Sequence, residues 1–185
     1  MKDRRNRICP VEKAGSLDTT FRRILQNPGK ILEPYIKEGM TVLDFGCGPG
    51  YFTIDMAKMV GKTGQVFAVD LQEGMIQKLK DKIQGTELEK RIILHKSEIG
   101  KMGLSEMVEF VLAFYVLHEI SNQESLFKEL LSILKPNGKV LIVEPPFHVS
   151  KAAFTKTVKR AKDAGFITEK GPRIILSKTV ILKKI

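Results

Sequence analysis

The chain has 185 residues, 43% of them hydrophobic, enough for one domain with a sizeable core and too few for two comfortable ones. Its 31 Lys and Arg outweigh 21 Asp and Glu, and the resulting +10 raises the expectation of an anionic partner such as RNA or an acidic membrane surface. The excess is spread along the chain, with concentrations only at residues 2–7 and 151–162 that read as a frayed terminus and a solvated helix face.

The longest uncharged apolar run, residues 110–117, is far too short to span a bilayer, so no membrane partner is expected. The basic start has no apolar stretch behind it and is not a secretory signal. Cys9 and Cys47 form neither a CxxC pair nor any metal-ligand spacing, and the expected compartment is the reducing cytoplasm. His95, His118 and His148 are scattered without an HExxH pattern, and no metal is expected.

In chain order, residues 1–15 are expected to form a flexible basic arm and residues 16–38 a helical cap. The cap comprises a helix over 16–26, a break at Asn27-Pro28-Gly29, and a short helix over about 28–36. Residues 39–185 form the core, so the whole chain is one domain. A strand at 41–45 leads through a glycine turn into a helix over 51–60, ended by Gly61. A second strand covers 65–69. A helix over 73–83 carries Met75, Ile76, Leu79 and Ile83 at helical spacing. Strands follow at 91–94 and 109–114, then a helix over 123–134 stopped by Pro136-Asn137-Gly138. A fifth strand covers 139–143 and a helix 151–164. Two last strands, about 166–176 and 179–183, lie close enough for a hairpin. Short β-rich runs alternating with longer helical patterns imply a doubly wound α/β fold around a mostly parallel sheet.

The stretch Asp44-Phe45-Gly46-Cys47-Gly48-Pro49-Gly50 is the most informative. A buried strand delivers the chain to three glycines and a helix starts straight after them. Glycine permits backbone angles closed to other residues and lets a ligand approach the main chain. The helix start offers unpaired N–H groups to an electron-rich ligand group. Asp70 closes the next strand, where a carboxylate is placed to accept hydrogen bonds from ribose hydroxyls. Dinucleotide dehydrogenases share that arrangement but use GxGxxG. Here the spacing is GxGxG, and Asp44 lies two residues before the first glycine. A carboxylate there would repel a pyrophosphate and suit a ligand carrying an ammonium group.

With Val66-Phe67-Ala68-Val69-Asp70 and the Leu134-Lys135-Pro136-Asn137-Gly138 segment, this turn resembles the motifs of class I, Rossmann-like S-adenosylmethionine-dependent methyltransferases, over about residues 31–185. The resemblance implies a seven-stranded sheet with an antiparallel last strand and helices on both faces. It implies S-adenosylmethionine as cofactor and S-adenosylhomocysteine as product. Asp44 and Gly46 would lie beside the methionine portion, with Cys47 in the turn. Gly48 and Gly50 would permit close approach, Asp70 would hold the ribose, and Leu71 would lie against the adenine. Many relatives place a Gly-Asp pair after the third strand to contact the adenine. Here the stretch reads His95-Lys96-Ser97-Glu98, leaving Ser97 or Glu98 for that contact.

Ala113-Phe114-Tyr115-Val116-Leu117-His118 resembles the family's fourth motif, which lines the transfer cleft; it places Ala113 among the cofactor contacts and Tyr115 and His118 as candidate catalytic residues. Tyr115 could lie beside the sulfonium or substrate, and His118 could act as base or substrate contact; either could equally fill space beneath a helix. The Asn-Pro-Pro-Tyr or Asp-Pro-Pro-Tyr run of amino-directed nucleic-acid methyltransferases is absent. His148 is a lesser candidate for substrate contact. The expected function is methyl transfer to a small-molecule acceptor by proximity and orientation, because basic residues do not interleave with aromatics as a stacking surface requires. An RNA-directed enzyme using the basic surface, or a noncatalytic cofactor-binding subunit, are the alternatives. Nothing in the sequence bears on oligomeric state.

Overall fold

The computed structural model describes residues 25–184. The expected basic arm and most of the expected helix over 16–26 lie outside the described residues, as does Cys9; Leu25 is helical and Gln26 already lies in a bend.

A seven-stranded sheet in the order β3-β2-β1-β4-β5-β7-β6 forms the centre. Its strands are β1 (Thr41–Phe45), β2 (Gln65–Asp70), β3 (Ile92–Lys96), β4 (Val108–Phe114), β5 (Leu134–Glu144), β6 (Ile167–Lys170) and β7 (Lys178–Lys183). All neighbouring pairs from β3 to β5 are parallel, and β7 runs antiparallel to both β5 and β6. The inner strands are continuous apolar runs because both their faces are covered. In β4, for example, every position but Glu109 is buried.

The helices are α1 (Pro28–Leu32), α2 (Thr53–Met59), α3 (Glu73–Ile83), α4 (Gln123–Ile133) and α5 (Lys151–Asp163), with a 3-10 turn at Leu117–Glu119. The sheet separates two apolar clusters. One gathers Leu32 of α1, Met56 and Ala57 of α2, and Leu79 and Ile83 of α3 against Val42, Val66 and Phe110. The other gathers Phe127 and Leu130 of α4 and Ala161 of α5 against Leu43, Val111 and Ile142. A fully buried side chain of this size contributes about 1.5–3 kcal/mol, so each helix stripe is fixed by what it covers.

Several boundaries differ from expectation for local reasons. The helix after the glycine turn starts at Thr53, two residues late, because Gly50 still has φ +88° and Tyr51 and Phe52 complete the turn. The fifth strand begins at Leu134, not at residue 139. Pro136-Asn137-Gly138 lies within it as an irregularity, with Asn137 at φ +62°, rather than separating helix from strand. The sixth strand is only Ile167–Lys170; residues 171–177 form a loop before β7, though the two strands do pair as a hairpin.

Candidate functional site

Connections from β1 run outward to β2 and β3 on one side, while β4 lies on the other, so the chain reverses winding between β1 and β4. Ligands of open α/β sheets bind in the crevice that such a reversal leaves beyond the strands' C-terminal ends. A cleft of about 460 Å³ lies there, walled by Gly46 and Gly48 of the turn, Asp70 at the end of β2, Leu71 after it, and Tyr115 after β4, among others. That is the usual range for a small-molecule site.

The turn is built by its own sequence. The N–H groups of Gly46 and Cys47 both donate to the Val69 carbonyl, at 2.8 and 3.0 Å, and Lys82 Nζ donates to the Pro49 carbonyl at 2.9 Å. All three glycines have positive φ. They differ in surroundings: a Cβ on Gly46 would collide with Val116 and one on Gly50 with Leu79, but one on Gly48 would meet nothing within 4 Å. Gly48 is therefore the position where the main chain faces open cleft.

The Asp70 carboxylate accepts the Gly48 N–H through Oδ2 and the Gln72 N–H through Oδ1, each at 2.9 Å. Burial pushes its pKa up, and the main-chain donors Gln72, Gly48 and Leu71 oppose that rise. The carboxylate still borders the cleft with lone pairs to spare for a hydroxyl donor.

Gly46, Gly48, Asp70, Leu71, Ser97, Glu98 and Tyr115 all border the cleft. Asp44, Cys47, Gly50 and Ala113 lie behind its wall. Asp44 is 2% exposed, and Thr53 Oγ1 donates to its Oδ2 at 2.6 Å, joining the end of β1 to the start of α2. Cys47 is buried, and that burial, with Asp44 and Asp70 nearby, holds its thiol protonated far above neutrality. Gly50 packs on Leu79, and Ala113 is fully buried in β4. Four further wall residues, Gln72, Ile99, Met102 and Ile120, carry no motif by which sequence could single them out.

Tyr115, the residue after β4, adopts φ +60° while its N–H still donates to the Val143 carbonyl at 2.8 Å. Its hydroxyl accepts from Gln26 Nε2 at 2.6 Å and lies 2.7 Å from Ser177 Oγ in the β6–β7 loop. Tyr51 donates to the Gln26 carbonyl at 3.0 Å. Two tyrosines thus fasten the described start of the chain at the cleft.

His118 is not on the wall, although its neighbours Val116 and Glu119 are. Its Nδ1 lies 2.8 Å from Glu144 Oε2 at the end of β5, while Glu144 Oε1 accepts the Leu117 N–H at 3.0 Å. Glu144 is 1% exposed and the His118 side chain 22%. Burial alone would lower the His118 pKa, but the hydrogen bond and charge of Glu144, with the charge of Glu119, outweigh it and raise the pKa above the usual histidine value. The His148 ring stacks on His118 with centroids 6.0 Å apart. Among the described residues no group of three or more His, Cys, Asp or Glu could hold a metal ion, and no helix is long and apolar enough to cross a membrane.

A methyltransferase domain family model matches residues 36–171. A Lactobacillus johnsonii demethylmenaquinone methyltransferase is 33% identical over 110 residues, which cover 59% of this chain and 45% of that protein. A Bacillus mycoides protein of the same name is 28% identical over 109 residues, covering 59% and 46%. The chain therefore spans less than half the length of these curated relatives. A solved S-adenosylmethionine-dependent methyltransferase from Aquifex aeolicus superimposes with a TM-score of 0.86 at 29% identity, over 96% of this chain and all of that one. A methyltransferase from Pyrococcus furiosus shares the fold, with a TM-score of 0.69 at 15% identity over 94% and 97% of the two chains.

Proposed function

Because the chain belongs to the methyltransferase domain family and is an S-adenosylmethionine-dependent enzyme, we propose that its acceptor is a small molecule entering the cleft beside Tyr115. The observation that carries this reading is the cleft itself: about 460 Å³, lined by apolar Val69, Met75, Met102 and Phe114 with a few convergent polar groups. S-adenosylmethionine supplies an activated sulfonium methyl, so the protein's task is to bind, orient and exclude water.

In this reading Asp70 accepts the ribose hydroxyls and Leu71 lies against the adenine. Ser97 or Glu98 meets the adenine edge, Gly48 admits the ligand to the main chain, and Gly46 lies beside the methionine portion. Asp44, Gly50, Cys47 and Ala113 act from behind the wall by fixing the turn. Tyr115 presents its ring to the transfer region. His118, held by Glu144 just outside the wall that Val116 and Glu119 form, would serve as base for a protonated acceptor that extends past that wall. The arrangement of base and buried orienting carboxylate supports that role, since the carboxylate fixes the ring and stabilises the imidazolium that results.

The curated relatives named for demethylmenaquinone offer one acceptor of small-molecule class. The test is titration with S-adenosylhomocysteine and NADH, then transfer of a labelled methyl group to a panel of small metabolites and to RNA. Binding of the first ligand alone, with label in a small molecule, is expected. Label entering RNA at physiological salt would overturn the acceptor class.

A further inference from the structure

Six large apolar side chains outside the cleft wall stand exposed on loops or strands, and three of them lie on two loops at one rim. Phe147, 88% exposed, follows Pro146 on the loop after β5. Ile175 and Leu176, 56% and 63% exposed, form the tip of a turn closed by the Ser177 N–H donating to the Ile174 carbonyl at 3.2 Å. Lys178 Nζ donates to the Pro146 carbonyl at 3.4 Å, and Ser177 Oγ contacts Tyr115, so both loops are joined to each other and to the cleft mouth. Leu176 is held at φ +51°, in the left-handed region that a bulky residue avoids. The apolar tips are thus presented on a braced platform.

Charge accompanies them. Residues 145–162 and 170–184 contain no Asp or Glu, and each stretch has five Lys or Arg. Lys170 and Arg173 border a hollow of about 490 Å³ beside the apolar turn, and Lys151 opens α5 four residues after Phe147. None of Lys151, Lys170, Arg173 or Lys178 pairs with a carboxylate among the described residues.

We infer that this rim docks on an anionic lipid bilayer, with Phe147, Ile175 and Leu176 entering the headgroup boundary and the surrounding Lys and Arg meeting lipid phosphates. Clustered apolar tips are rewarded only by an apolar medium, and basic residues at their base are drawn to acidic lipids within a Debye length. An RNA surface would instead call for aromatics interleaved with the charge. The inference goes beyond the small-acceptor reading and stands whichever acceptor the cleft takes. It revises the expectation of no membrane partner, which rested on the absence of a spanning segment.

The test is co-sedimentation of the full chain with phosphatidylcholine vesicles and with vesicles containing about a third phosphatidylglycerol, at physiological salt. Partitioning onto the acidic vesicles alone is expected. The double variant Phe147→Ser/Leu176→Ser should lower it at least tenfold, and Lys151→Gln/Arg173→Gln should weaken it and flatten its salt dependence. S-adenosylhomocysteine affinity should stay within twofold in both variants, which separates loss of docking from misfolding or loss of cofactor binding. Equal partitioning onto neutral and acidic vesicles, none onto either, or an unimpaired Phe147→Ser/Leu176→Ser variant would overturn the proposal. So would tight RNA binding in place of vesicle binding.

Discussion

The Asp70 carboxylate accepts the main-chain N–H of Gly48 at 2.9 Å, so the acid at the end of β2 holds the glycine turn as well as facing the cleft. Ligand recognition and turn geometry are coupled through one side chain. Asp70→Ala should therefore weaken S-adenosylhomocysteine binding by about tenfold to a hundredfold, the equivalent of roughly 1.5–3 kcal/mol for charge-assisted hydrogen bonds. Amide exchange at Gly48 should quicken in the unliganded protein. Calorimetry returning the wild-type affinity would remove Asp70 from the ribose site.

The glycines should separate into two kinds. Gly48→Val places its side chain in open cleft and carries only the left-handed backbone strain at φ +53°, about 1–2 kcal/mol, so the protein should still fold and fail to bind cofactor. Gly50→Ala drives a Cβ into Leu79 at φ +88° and should cost stability first. A left-handed residue costs about 1–2 kcal/mol and overpacking about 1–3 kcal/mol, so thermal unfolding should fall by several degrees. Normal cofactor affinity in folded Gly48→Val would contradict the assignment of the turn.

The pair His118 and Glu144 predicts a pH profile. A base must be neutral, and Glu144 raises the His118 pKa above about 6.5. Activity on a protonated acceptor should therefore rise with pH along a limb lying above that value. Glu144→Gln removes the charge but keeps an acceptor for the Leu117 N–H, and should move the limb to lower pH. The stability supplied by the pair is fully present below about pH 6.5 and is lost as pH rises through the raised folded value. A limb that does not move in Glu144→Gln would exclude His118 as the base.

Gln26 is fastened by Tyr115 and Tyr51, which brings the described start of the chain to the cleft mouth. Removing residues 1–26 should leave S-adenosylhomocysteine affinity nearly unchanged while raising KM for the acceptor. Tyr115→Phe should do the same more mildly, at about 0.5–1.5 kcal/mol per hydrogen bond lost. Unchanged acceptor kinetics in the truncated protein would show that the segment does not order the acceptor.

Local patterns made much of this legible. The alternation of elements, GxGxG after a buried strand and Asp70 at the end of the next all depend on neighbours in sequence, and the sheet reproduces them. Contacts between distant residues were not legible. His118 and Glu144 are 26 residues apart, Tyr115 and Gln26 89, and Tyr115 and Ser177 62. Only the topology brings them together. Asp44 is instructive because a carboxylate beside a glycine turn suggests ligand contact, yet it follows Val42 and Leu43 in a strand buried on both faces. A polar partner had to come from within, and Thr53 supplies it.

The place of β7 also governs how the molecule is made. Its residues are the last of the sheet to be synthesised, yet β7 lies between β5 and β6, with Leu182 fully buried. Until Lys183 has left the ribosome, β5 presents an open edge with unpaired main-chain groups, and β6 has no neighbour at all. Such an edge invites pairing with another chain. The growing polypeptide can assemble the cofactor side, from β3 to β4, well before the sheet closes. Its window for aggregation is therefore the synthesis of the last strand, and a lesion in Val180-Ile181-Leu182 should reduce yield in cells more than it disturbs the distant glycine turn.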